Sequence, residues 1–178
     1  MPSTVSNQML AADSLIEGLL SALLSAVPGA SLACLNIIDP VDCRRVVRRP
    51  RFAVANRVGR IRRPGDMLRH MRSLLDWDAL LPLLHEGHCQ LVRVVSRREV
   101  PPRKRPGPPD AFSVLICPAA GPLGDLAGLV VLAWDGDPPA GGKPVDLMHA
   151  GTRTGKQIAA IMELCPRMAA CEPNQAAA

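Results

Sequence analysis

The sequence predicts an α+β sandwich: a mostly antiparallel meander of strands with one helix at each end of the chain. Three observations predict it. Apolar residues recur at helical spacing in two segments, Asp13–Val27 and Val145–Leu164. The apolar runs between them are short, rich in β-branched residues and separated by turn-forming residues. Midway, two brief helical patterns interrupt the strands, giving the order helix, two strands, short helices, three strands, helix.

The first helix is predicted from a cap at Asp13 or Ser14 to about Val27. Its apolar pairs Leu15/Ile16, Leu19/Leu20 and Leu23/Leu24 form a broad stripe, and Pro28-Gly29 ends it. "SLACLNIIDP" (Ser31–Pro40) reads as a buried strand stopped by Asp-Pro. The chain returns through Arg44–Val58, where Phe52, Val54 and Val58 alternate with Arg51, Ala53, Ala55 and Arg57. That is period two, with one wet face, and Pro50 marks an edge strand or a break.

"RPGD" (Arg63–Asp66) is a turn and a helix cap. Short helices follow at about Met67–Leu74 and Asp78–Leu84, the second ended by Gly87. "HCQLVRVV" (His88–Val95) reads as a strand. In "SRREVPPRKRPGPPD" (Ser96–Asp110), five of the nine residues from Pro101 to Pro109 are proline, which predicts an exposed, mobile hairpin loop. "AFSVLICP" (Ala111–Pro118) and "LAGLVVLAW" (Leu126–Trp134) are apolar strands about a Gly-Pro-Leu-Gly-Asp turn, and the closing helix covers Val145–Leu164. One domain over residues 13–165 is expected, with disordered tails at 1–12 and 166–178.

Composition narrows the function classes. The chain has 178 residues, 48% of them apolar, which is ample for a core. Aromatic residues are only 2%, with no tyrosine, so aliphatic packing builds that core and few rings are available to stack on a base or flavin. The longest uninterrupted apolar run, about Leu126–Trp134, falls far short of the roughly 20 residues of a spanning helix. No basic segment precedes an apolar one near Met1, so no secretory signal is expected. Six cysteines without a C-x-x-C spacing then predict reduced thiols in the cytoplasm, with Cys34, Cys89 and Cys117 in apolar contexts that favour burial.

Charge is unevenly placed. The net charge is +5, and Arg44–Arg72 holds eleven arginines and one acid, Asp66. The simpler reading is a solvated arginine-rich face, and an anionic partner is the alternative. "RRVVRRPRF", "GRIRRPGD" and "PPRKRPG" can grip phosphates, but Phe52 is the only aromatic nearby and no helix-turn-helix signature is visible. Nucleic acid is therefore not the expected partner.

Three segments, in order, resemble the GAF domain family. "LLSALLSAVPGASLACLNIIDP" has the family's amphipathic helix, Pro-Gly break and strand ending in Asp-Pro. "SVLICPAAGPLGDLAGLVVLAW" is similar to its paired central strands. "VDLMHAGTRTGKQIAAIMEL" is similar to its last helix, where a Leu-x-x-x-Ala rhythm precedes Gln-Ile-Ala. The resemblance implies a six-stranded antiparallel sheet, both terminal helices on one face, and short helices and loops enclosing a pocket on the other. It implies a sensory or regulatory module rather than an enzyme, binding a small molecule or dimerising through its terminal helices.

Other chemistry is poorly supported. "AGTRTGKQIAAIMEL" looks like a phosphate-binding loop, which needs G-x-x-x-x-G-K-[ST] after a strand. Gly151 and Gly155 are one residue too close, Gln157 replaces the hydroxyl residue, and the segment opens a helix. The apolar period runs through both glycines, which predicts that they make room for a neighbouring element while Lys156 faces solvent. His85 and His88 flank Gly87, which breaks the helix a metal pair would need, so no metal site is expected. Chromophore-binding relatives show Cys followed by His, whereas this chain has His88-Cys89. The Asn-Lys-Phe-Asp-Glu set of cyclic-nucleotide-binding relatives is absent, and Cys43 and Cys89 do not reproduce the loop cysteines of the methionine-sulfoxide-reducing relatives. No Ser/His/Asp set or carboxylate pair suggests hydrolysis.

The expected function is thus a cytoplasmic GAF-like sensory or regulatory domain that binds an unidentified small molecule and signals through its terminal helices. The resemblance places Asn36, Trp77, His88, Arg93 and Cys117 nearest the pocket. A homodimer would use Leu15, Leu19, Leu23, Leu147, Gly151, Gly155 and Ile158. A ligand-free dimerisation scaffold and an arginine-mediated nucleic-acid binder are the alternatives. No cofactor can be named, no membrane association is expected, and signalling would pass to an output-domain partner or to another part of a longer protein.

Overall fold

A computed structural model of the chain describes residues 4–38, 52–55, 77–96, 110–121, 123–136, 138 and 144–164. The elements in order are α1 (Thr4–Ala26), β1 (Leu32–Ile37), β2 (Phe52–Ala55), α2 (Trp77–His85), β3 (Gln90–Ser96), β4 (Asp110–Ala120), β5 (Leu126–Asp135) and α3 (Pro144–Leu164). The helix expected at Met67–Leu74, the proline-rich loop and the arginine-rich segments lie largely or wholly outside the described residues.

The strands form one sheet in the order β2-β1-β5-β4-β3, and every neighbouring pair is antiparallel. Five strands are present among the described residues, where the resemblance implied six. β1 lies inside the sheet, paired with β2 on one side and β5 on the other, and all six of its residues are buried. A strand covered on both faces reads as a continuous apolar run rather than an alternation, and "LACLNI" does so except at Asn36.

Alternation along the strands divides the core in two. On one face Ala33, Leu35, Ile37, Leu115, Cys117, Val130, Leu132 and Trp134 pack against α1 and α3. On the other, Leu32, Cys34, Ile38, Val114, Ile116, Leu129 and Val131 pack with Leu84 of α2. The two terminal helices therefore share a face and touch each other.

α1 begins at Thr4, nine residues before the expected start, so residues 4–12 are not a structureless tail. Asp13 lies mid-helix rather than capping it. Gln8, Met9, Leu10, Ala11 and Ala12 are good helix formers, and Ala12 joins the core. Asn7–Ala26 is also long and apolar enough to cross a membrane by length and composition alone. Counting uninterrupted apolar runs misses this because Asp13 and Glu17 interrupt the segment. Here Ile16, Leu20, Leu23 and Leu24 of that helix are buried in the core it shares with the sheet. Gly29, with φ 70°, follows the helix and turns the chain toward β1.

α3 buries Leu147, Gly151, Thr154, Gly155, Ile158, Ala159 and Met162. The spacing is helical throughout, so both glycines face inward and Lys156 faces solvent. They pack against β4: a Cβ at Gly151 would meet the Cys117 side chain, and one at Gly155 would meet the Pro118 carbonyl. Neither α1 nor a second copy is what they accommodate.

Candidate functional site

The α2 side of the sheet carries one polar side chain that its surroundings do not satisfy. Asn36 follows Cys34 by two positions in β1 and shares its face. It is 1% exposed. Its amide nitrogen lies 3.8 Å from Cys34 Sγ, a weak donor contact, and its Oδ1 has no hydrogen-bond partner among the described residues. Leaving a buried acceptor unpaired costs about 1–3 kcal/mol. Burial pushes the Cys34 thiol up to about 12, with the Asn36 contact opposing, so Cys34 stays protonated and unreactive near neutral pH. Asn36 thus sets one amide oxygen in an otherwise apolar layer.

The five ligand candidates do not form one site. Asn36 faces the α2 side, and Trp77 opens α2 on that side. His88 is displaced outward by the end of α2. Gly87 (φ 86°) donates to Leu84 O at 3.1 Å and His88 N donates to Leu83 O at 2.9 Å, the paired bonds of a Schellman ending. The His88 side chain is 65% exposed, with Nε2 3.8 Å from Glu86 Oε2. The same ending prevents His85 and His88 from sharing a helical turn. Arg93 alternates with Val92 and Val94, which face α2, so Arg93 lies on the opposite face and is exposed. Cys117 is buried beneath α3. Position in a strand was legible, but which parity faces which layer was not.

The seven helix residues separate in a similar way. Leu23, Leu147, Gly151, Gly155 and Ile158 are buried within the chain, and Leu19 packs against the same core. Only Leu15, 59% exposed, presents an apolar side chain to solvent.

A second group lies on the helix side, and the sequence reading did not assemble it. Cys89 Sγ is 3.0 Å from Thr152 Oγ1 and 3.7 Å from the Met148 carbonyl oxygen, both on α3. It also hydrogen-bonds Cys117. That bond draws the Cys89 thiol down to about 7; burial opposes the change and Thr152 assists it. The same bond, together with burial, holds Cys117 far above the usual thiol range. Beside Thr152, the outer side of α3 has a shallow open depression lined by His149, Arg153, Lys156 and Gln157.

No family model matches the chain, and no curated protein matches it. Solved structures do. The chain is similar to the cyanobacteriochrome receptor PixJ at 12% identity and a TM-score of 0.52, covering 88% of this chain and 97% of that one. It is similar to a GAF domain/HD domain protein from Geobacter sulfurreducens at 14% identity and a TM-score of 0.51, covering 91% and 99%. It is also similar to GAF3 from Slr1393 of Synechocystis sp. PCC6803, in its photoproduct state, at 12% identity and a TM-score of 0.50, covering 93% and 98%. The chain has a GAF-like fold.

Proposed function

We propose that this protein is a sensory or regulatory GAF-type module that binds a mainly apolar small molecule on the α2 side of the sheet. The observation that carries the reading is the buried Asn36 Oδ1, without a partner among the described residues and set among aliphatic side chains. A ligand carrying an N–H or O–H donor would satisfy it and recover the desolvation cost. β1 is covered on both faces, so a shift of its backbone at Asn36 is felt by Leu35 and Ile37, which pack in the core shared with α1 and α3. The output would be a change in how the terminal helices sit. Covalent attachment of a chromophore at Cys89 is not part of this reading, because Cys89 packs on the helix side.

The test is thermal unfolding of the whole chain against a panel of metabolites, run in parallel on Asn36→Leu. A true ligand raises wild-type stability by RT ln(1 + [L]/Kd) and leaves Asn36→Leu unmoved. A panel that moves neither protein, or both equally, counts against the reading.

A further inference from the structure

The thiols on the helix side of the sheet have a geometry of their own. The β3–β4 register sets Gln90 opposite Ile116 and Leu91 opposite Leu115. One residue before Gln90, Cys89 comes level with Cys117. Residues level across antiparallel strands share a face, with Cα atoms about 4.5–5.5 Å apart. A disulfide takes about 4.4–6.8 Å. Both cysteines are free thiols, and their side chains are already in hydrogen-bond contact.

Their surroundings give them different parts. Cys117 is 1% exposed and sits under Gly151, whereas Cys89 is half-buried at the rim, against the Met148–Thr152 turn of α3. As a thiol, Cys89 donates to the Met148 carbonyl. As a thiolate, it accepts from Cys117 and from Thr152. Both protonation states of one sulfur are thus provided for, a feature that a merely buried cysteine lacks. Cys34, on the other face, has no thiol beside it among the described residues and serves as an internal control.

We propose that Cys89 and Cys117 form a reversible redox-modification site, with a hydroperoxide as the class of oxidant and a small dithiol or thiol as the class of reductant. The Cys89 thiolate attacks the outer oxygen of the hydroperoxide. An S–O bond forms, the O–O bond breaks, and the departing alkoxide takes a proton from water, leaving a sulfenic acid. The Cys117 sulfur then attacks the Cys89 sulfur. The S–S bond forms, the S–O bond breaks, and the departing hydroxide takes the Cys117 proton and leaves as water. In sum, two thiols lose two electrons and two protons, and the hydroperoxide becomes an alcohol and water. Joining the sulfurs draws Cys89 off Thr152 and moves the Cys117 sulfur beneath Gly151, so α3 registers the oxidation state. The inference does not depend on the ligand proposed for the other face.

The experiment uses the full chain, reduced and then treated with hydrogen peroxide, capped with N-ethylmaleimide and digested without reductant for mass spectrometry. Cys89 is the only cysteine between Arg72 and Arg93, so its tryptic peptide reports on it alone. The expected product is a Cys89–Cys117 linked peptide lacking two hydrogens, which dithiothreitol reverses. Before oxidation, iodoacetamide should modify Cys89 roughly 10-fold faster than Cys34 at pH 7. In Cys117→Ser, dimedone should trap a sulfenic acid on Cys89. Maleimide on both Cys89 and Cys117 after peroxide, with no linked peptide, would overturn the proposal. So would alkylation of wild-type Cys89 no faster than that of Cys34, a result that needs no variant to fold.

Discussion

Gly155 of α3 lies so close to the Pro118 carbonyl of β4 that a methyl group in place of its hydrogen would overlap the carbonyl oxygen. The obstacle is backbone within a paired strand, so it cannot rotate away. Gly155→Ala gains about 1 kcal/mol of helix propensity. It forces α3 off the sheet, an overpacking cost of roughly 1–3 kcal/mol. The expected outcome is a net loss of stability in urea unfolding. Gly151→Ala, which meets the Cys117 side chain, should be milder because a side chain can shift.

Gly18 gives the opposite sign. It lies inside α1, and a Cβ built there meets nothing within 4 Å. Gly18→Ala should stabilise the protein by about 0.5–1 kcal/mol through the lower entropy of the unfolded chain and better helix propensity. A fall in the urea midpoint would show that this face of α1 is covered by something beyond the packing described above.

Asn36→Leu separates stability from function. It replaces a buried acceptor that has no partner among the described residues by an apolar group of similar size. The unliganded protein should gain about 1–2 kcal/mol in denaturant unfolding, since the cost of an unsatisfied polar group disappears. A loss of stability would mean that the amide already has its partner. The same variant should lose any response to a ligand that binds on the α2 side.

Cys89 sets a pH dependence. Its folded pKa of about 7 lies below that of a free thiol, so the unfolded state binds more protons between about pH 7 and 9. The contribution is therefore present above pH 9 and lost as pH falls through 7. His88 precedes Cys89 in the chain, and His149, Arg153 and Lys156 line the outer side of α3 beside Thr152. These groups and the raised Cys34 are common to both proteins, so the measurement is the difference between wild type and Cys89→Ser. That difference should widen in favour of the wild type from pH 7 to 9. A flat difference would show that the thiolate is not held by Cys117 and Thr152.

Much of the fold was legible because its signals are local. The Pro28-Gly29 break, the apolar run before Asp39 and the helical period through Leu147, Gly151, Ile158 and Met162 each depend on neighbours a few residues apart. The α1 boundary was not, because Asp13 looks like a cap when read locally, yet the helix continues through Ala12 into the core. The five ligand candidates fall on different faces. A strand pattern fixes which residues alternate, but it does not say which parity faces α2, and Arg93 and Cys117 fell on the other side.

By itself the sequence determined the order and kind of the elements, because helical and strand periods are properties of a chain meeting water on one side. It also determined that "AGTRTGKQIAAIMEL" continues a helix rather than cradling a phosphate. Only the tertiary structure decided what that helix meets. Residues 118 and 155 are brought together by strand register and helix docking, which depend on the whole sheet. The same register sets Cys89 beside Cys117, 28 positions apart, and leaves Asn36 Oδ1 in an apolar layer with no partner among the described residues.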